Sequence, residues 1–254
     1  MFAGRAGGWH WLVLFAGLFF PALPRAETVS IAVAANFTAP AKKLAELFSQ
    51  ESGHQTRLSF ASTGKLYSQI HNGAPYAVLL AADAETPVRL AEEGLANGGS
   101  RFTYALGKLV LWSAKSGYVD TQGSCLQQGN FAHLAIADPK LAPYGRAAQQ
   151  SLQALGLYER LQAKLVQGEN IAQTQQFVAS GNAELGFVSL SQLLRDGQLI
   201  AGSAWIIPEH LYQEIRQDAI LLHNGQANPA ATAWLAFLRS DKAHSVIRSF
   251  GYGT

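Results

Sequence analysis

Short, nearly continuous apolar runs alternate along the chain with amphipathic segments. Val29 to Ala34, Ala77 to Ala81, Leu134 to Ala137 and Leu185 to Val188 have the length and apolar character of strands covered on both faces in a parallel sheet. Between them, apolar residues recur at helical spacing. Ala41, Leu44, Ala45 and Phe48 precede Gly53, and Leu66 and Ile70 precede Gly73. Ala148, Leu152 and Leu155 run to Gly156, and Ile171, Thr174 and Val178 to Gly181. A glycine just past the last apolar position is a helix stop. A further helix is expected after Pro229, burying Trp234, Leu235, Phe237 and Leu238. The βαβα order predicts an α/β architecture with right-handed crossovers, whose ligands bind at the carboxyl ends of the strands.

Two of these strand ends repeat one construction. Thr28-Val-Ser-Ile-Ala-Val-Ala-Ala-Asn-Phe-Thr and Arg57-Leu-Ser-Phe-Ala-Ser-Thr-Gly-Lys each lead an apolar strand into small hydroxyl or amide residues that open a helix. The first N–H groups of a helix lack internal partners and carry roughly half a positive charge, so such an end holds an oxyanion without Lys or Arg. Asn36, Thr38, Ser62 and Thr63 supply further donors. Ser, Thr and Asn also serve as plain helix caps, and a single turn of this kind would be read so; its recurrence favours an anion site. Three more strand ends follow: Ala81-Ala82-Asp83, the stretch Ala137 to Gly145, and Gly168-Glu-Asn-Ile171. The first three mouths fall to one lobe and the last two to a facing one.

Residues 1–26 differ in character from the rest. Arg5 precedes an apolar core from Trp11 to Phe20, and Pro21 to Ala26 form a small-residue stretch, which together read as a secretory signal peptide with Ala26 before the cut. The core is too short for a membrane span. Removing this segment takes away Arg5 and Arg25 and no acid, leaving 17 basic residues against 17 acidic ones in a formally neutral chain. Such a balance offers no electrostatic reason to expect nucleic acid or an anionic membrane as partner. Cys125 is the only cysteine, so stability rests on packing without an intrachain disulfide.

Other chemistries find little support. Ser-Thr-Gly-Lys at 62–65 resembles the end of a phosphate-binding P-loop, but Ser59 stands where its leading Gly belongs and Leu66 where its Mg²⁺-binding hydroxyl belongs. His54, His71, His133, His210, His223 and His244 are scattered, with no pair at metal-ligand spacing, and no direct metal ligands are expected. No Gly-x-Ser-x-Gly elbow occurs. A triad assembled from distant positions stays open, since triads are defined by geometry. Asp83 and Asp138 are expected to cap turns, because two carboxylates aimed into an anion pocket would repel its ligand.

The chain resembles the periplasmic molybdate-binding proteins of ABC transporters. The residues that carry the resemblance are Val33 to Thr38, Phe60 to Leu66, Gly73-Ala-Pro, Ala82-Asp, Asp138-Pro, Pro143-Tyr-Gly and Leu185-Gly-Phe-Val. It implies the α/β type II periplasmic binding protein fold, two lobes joined by two crossing strands. The lobes would be 27–106 with 221–254, and 107–220, with the crossings near Leu106 to Trp112 and Ile215 to Leu222. It further implies molybdate or tungstate held by Asn36, Ser62 or Thr63, the backbone at Ala82, and Tyr144 and Ile171 from the facing lobe. Other members place a tyrosine after the strand matching Leu185 to Val188, where this chain has Ser189, and the Tyr144 phenol is the expected replacement. The implied protein is a periplasmic monomer that delivers its oxyanion to a membrane ABC permease, without cofactor or catalysis.

The physics suits such a ligand. A buried tetrahedral dianion loses its water, and charge-assisted hydrogen bonds return about 1.5–3 kcal/mol each. Donors facing every oxygen also reject protonated anions, whose O–H would find no acceptor. Sulfate or another small oxyanion is the alternative within this class; a two-lobed periplasmic hydrolase is the alternative outside it.

Overall fold

The computed structural model describes residues 1–4, 26–195 and 197–254, so most of the expected signal peptide lies outside the described residues. β1 (Thr28–Ala34) leads through α1 (Thr38–Ser52) to β2 (Gln55–Ala61), and α2 (Thr63–His71) leads on to β3 (Val78–Leu80). Both neighbours pair parallel to β1. α3 (Glu85–Glu92) precedes the long β4 (Ala96–Gly107). The chain then enters a second sheet with β5 (Leu109–Ser113), followed by α4 (Ser124–Gln128), β6 (Leu134–Ala137) and α5 (Pro143–Ala154). α6 (Tyr158–Leu161), β7 (Leu165–Gly168), α7 (Ile171–Ala179) and β8 (Leu185–Ser189) continue it. A small hairpin of β9 (Leu194–Arg195) and β10 (Gln198–Leu199) precedes β11 (Ser203–Ile206) at the sheet edge. β12 (Ile215–Leu222) returns to the first sheet, and α8 (Pro229–Leu238) and α9 (Asp241–Ser249) end the fold.

The strand orders are β2-β1-β3-β12-β4 and β11-β5-β8-β6-β7. Passage between sheets occurs at Lys108 and again between Ile206 and Ile215. β12 runs antiparallel between β3 and β4, so the first sheet resumes at Ile215, ahead of the expected lobe boundary after residue 220.

Both faces of β1 are covered, which is why its sequence shows no polar alternation. Val29, Ile31 and Val33 join Phe37, Leu44, Phe48 and Trp234 on one side, and Ala32 joins Leu66, Ile70 and Leu90 on the other. The ring of Trp234 meets Phe48 edge-on at 5.2 Å, so the helix after Pro229 packs on the first sheet as expected. Trp205 lies instead against the core of the second sheet, seated over Gly123. Gly53 ends α1 with φ 73, a left-handed position that a side chain would strain.

The start of α5 is pressed onto the end of β6. A Cβ on Gly145 would stand 2.2 Å from the Ala137 carbonyl oxygen, so only glycine lets the helix begin there. Gly145→Ala is expected to destabilise the protein by about 1–3 kcal/mol through overpacking, read by denaturant unfolding. A loss below about 0.5 kcal/mol, the range of neutral surface changes, would show that the helix yields freely.

Candidate functional site

Strand register brings the mouths level. Ala34 pairs with Ala61 and Val33 with Leu80, so the residues after β1, β2 and β3 emerge side by side. Across the cleft, Ala137 pairs with Gly168, which aligns the start of α5 with that of α7. One small cavity collects both groups. Ala34, Ala35, Asn36, Ser62, Thr63 and Ala82 line it from the first sheet, and Ala142, Pro143, Tyr144, Asn170 and Ile171 from the second. The cavity is small and opens partly toward solvent. All six residues expected at the site, Asn36, Ser62, Thr63, Ala82, Tyr144 and Ile171, therefore border one space.

Its donors are neutral. Ser62 sits at the N-cap of α2 with extended backbone, yet its hydroxyl makes no cap bond. That oxygen is buried, in a side chain only 3% exposed, and has no hydrogen-bond partner among the described residues. Thr63 Oγ1 accepts the Ala82 N–H at 3.0 Å, which leaves the threonine proton to donate elsewhere. The Ala82 N–H is thus committed, and Ala82 acts on the cavity through Thr63. The single turn Ala35–Phe37 has no side-chain cap on its leading N–H groups. At α7, the Asn170 side chain accepts from Ala172 N and Gln173 N, the second and third helical positions, leaving the first N–H, that of Ile171, uncapped by it. Pro143 opens α5 without an N–H, while Gly145 N and Arg146 N return to the Ala142 carbonyl. The Tyr144 N–H has no backbone partner among the described residues, and Tyr144 lines the cavity.

Two expected side-chain donors point elsewhere. Asn36 Nδ2 donates to Gln217 Oε1 at 2.7 Å and to the Tyr252 hydroxyl at 2.9 Å, so this residue presents its turn rather than its amide. The Tyr144 phenol lies behind the cavity, accepting from Ser189 Oγ at 3.0 Å and from Gln217 Nε2 at 3.4 Å. Ser189 is fully buried, bonded also to Ser191, and lies outside the cavity lining. The link from Tyr144 to the mouth is therefore its backbone. Gln217, Ser191 and Tyr252 have no local sequence signal; the return of β12 brings Gln217, the C-terminal tail Tyr252, and the turn after β8 Ser191.

The matched family profile, described as bacterial extracellular solute-binding protein, covers residues 29–253. The chain belongs to this family of extracellular solute-binding proteins. Among relatives, it is 57% identical over 242 residues to a molybdate-binding protein ModA of Azotobacter vinelandii, covering 95% of this chain and 96% of that one. It is 49% identical over 244 residues to ModA of Rhodobacter capsulatus, covering 96% and 94%. The solved periplasmic molybdate-binding protein of Azotobacter vinelandii superposes with a TM-score of 0.87 at 40% identity, over 89% of this chain and 99% of that one. The fold is the two-lobed type II form of the periplasmic binding proteins.

In this solute-binding protein, charges sit around the mouth and not inside it. Lys65 pairs with Glu169 across the cleft, and Arg146 reaches Asp83 at 3.3 Å and Glu85 at 3.0 Å. Lys65, Glu169 and Arg146 are each nearly half exposed, and pairs of this kind contribute about 0–1 kcal/mol. Asp83 and Asp138 cap turns, accepting from Thr86 N and Lys140 N at 2.9 Å. Burial holds the Asp83 carboxyl above its ordinary pKa, against the opposing pull of the Thr86 N–H and the Arg146 guanidinium. A backbone bond from Gly64 N to the Leu141 carbonyl at 2.9 Å joins the two mouths directly.

Behind the cavity, burial raises the phenols of Tyr104, Tyr144 and Tyr252 above the usual range, so all three stay neutral. The folded state then holds protons that the unfolded chain gives up as pH rises past about 10. Their contribution is complete below that pH and is lost as pH climbs through the raised folded values. Ultraviolet titration should show these three phenols ionising only with alkaline unfolding, after the part-buried Tyr67, Tyr76, Tyr118 and Tyr158. All eight tyrosines ionising in one step with the fold intact would contradict it.

Proposed function

We propose that this protein captures molybdate, and also tungstate, between its lobes in the periplasm and delivers it to a membrane ABC permease. The observation that carries the reading is the Ser62 hydroxyl: a buried, unpartnered donor at the wall of a small cavity built from neutral groups of both lobes. A buried polar atom without a partner costs about 1–3 kcal/mol, and an oxyanion oxygen is the partner it lacks. The 57% identity to a molybdate-binding protein selects the anion among those of this shape.

In this reading the dianion meets the Ser62 and Thr63 hydroxyls and the turn at Asn36 from the first lobe, with Ala82 polarising Thr63. Tyr144 and Ile171 offer backbone N–H groups from the second. Contacts to both lobes favour the closed state by the ligand's differential affinity for it. No bond is made or broken, so the protein is a carrier and not an enzyme, working as a monomer without cofactor or nucleic acid. The lobes are residues 27–106 with the C-terminal segment from β12 onward, and the intervening segment from 107. Residues 1–26 direct export.

Two measurements test this. In scanning fluorimetry, molybdate at a hundredfold excess over its dissociation constant should stabilise the protein by about 2.7 kcal/mol, while equal sulfate leaves the melt unmoved. Sulfate acting as strongly would transfer the site to that anion. Ser62→Ala should weaken molybdate binding about tenfold or more, the equivalent of one charge-assisted hydrogen bond. Anion-free stability should not fall, because the hydroxyl has no protein partner to lose and removing its unpaired burial can only raise stability. An affinity that survives this change would reduce Ser62 to an ordinary cap.

A further inference from the structure

Behind the anion cavity lies a buried polar cluster that the binding reading does not use. Gln217, on β12, is fully buried. Its Oε1 accepts from Asn36 Nδ2 at 2.7 Å and from the Tyr104 hydroxyl at 3.2 Å, and its Nε2 donates to the Tyr144 hydroxyl at 3.4 Å. Asn36 belongs to the first lobe and Tyr144 to the second, and both border the cavity. One amide thus holds a cavity residue from each jaw.

The arrangement is sterically specified. A Cβ on Gly107, the last residue before the first passage between sheets, would lie 2.2 Å from the Tyr144 hydroxyl oxygen and 2.8 Å from Gln217 Nε2. Glycine is what lets phenol and amide meet at the hinge. The Asn36 carbonyl is held as well, accepting from Ser191 Oγ and from the Tyr252 hydroxyl, each at 2.9 Å. With the Asn36 amide and carbonyl both engaged at the rear, the turn that borders the cavity is held from behind. Buried networks of this kind are rigid when every member is satisfied.

We propose that Gln217 is a positioning residue for anion capture, orienting the Asn36 turn and the Tyr144 helix start relative to each other as the lobes close. The role rests on the oxyanion reading of the cavity. Gln217 touches no ligand; it sets the spacing between donors that do. Its loss should therefore act on affinity for the anion, not only on the fold.

The test is calorimetric titration of molybdate into the full-length mature protein, with anion-free melting measured alongside. Q217M, close in size and without either polar atom, should bind molybdate about tenfold more weakly, as for one lost hydrogen bond in the closed state. In a Y144F background the same change should cost measurably less than in the parent, since the Tyr144 bond is already gone and only those to Asn36 and Tyr104 remain to be lost. Y144F alone removes the phenol that Gln217 Nε2 reaches and leaves the amide bonded to Asn36 and Tyr104. It should bind molybdate about threefold more weakly or worse, and parent-like binding by it overturns the proposal if Q217M does not fold. Binding by Q217M within twofold of the parent, with or without a lowered melting point, overturns the proposal and leaves a residue that only supports the core. Full additivity with Y144F overturns it too. A parent protein that takes up no molybdate would instead end the oxyanion reading itself, before any variant is compared.

Discussion

An oxyanion taken out of water must find a hydrogen bond for every oxygen, and a folded protein tends to have none to spare, because buried donors left unpaired are costly. The structure meets this constraint with strand register. β1, β2 and β3 end level, as do β6 and β7, so helix starts with unpaired N–H groups emerge together from both sheets. Caps that would quench them are missing or displaced: Ser62 leaves its hydroxyl unused, and Asn170 covers the second and third N–H groups of α7 but not the first. The donors are unpaired because the fold holds them so.

Rigidity comes from the layer behind. Asn36 and Tyr144 turn their side chains away from the cavity and into a network with Gln217, Ser189, Ser191 and Tyr252, which fixes the backbone they present to it. Closure has a different origin. The ion pairs across the mouth are exposed, and at about 0–1 kcal/mol each they bias the closed state only modestly. Several charge-assisted bonds to a shared dianion outweigh them, so ligand occupancy is the stronger switch.

The sequence made the mouths legible because each is local: an apolar run, a small polar residue and a helical period lie within about a dozen positions. Asn36, Ser62, Thr63, Ala82, Tyr144 and Ile171 are all residues of that kind, and the structure places them around one space. What each side chain does there was not legible. The Asn36 amide and the Tyr144 phenol turn to Gln217, far away in sequence, because β12 inserts antiparallel between β3 and β4. No hydropathy period distinguishes that insertion from a strand at a sheet edge. Tyr252 reaches the same cluster through the C-terminal tail, whose Gly253 pairs with Leu106, a contact no local pattern announces. The commitment of the Ala82 N–H to Thr63 likewise depends on the alignment of two mouths and not on either one alone.

Neutrality of the cavity bears on release as much as on capture. A site built around a buried Lys or Arg would strand that charge once the anion left, a cost of several kcal/mol. Here the charged groups, Lys65, Glu169, Arg146 and Glu85, stand at the rim where water reaches them. When the lobes part, the groups exposed inside are hydroxyls and peptide N–H groups, which water satisfies at once. Dipoles held in place by a rigid rear layer can therefore bind a dianion firmly in the closed form and give it up when the lobes open, which is the cycle a carrier requires.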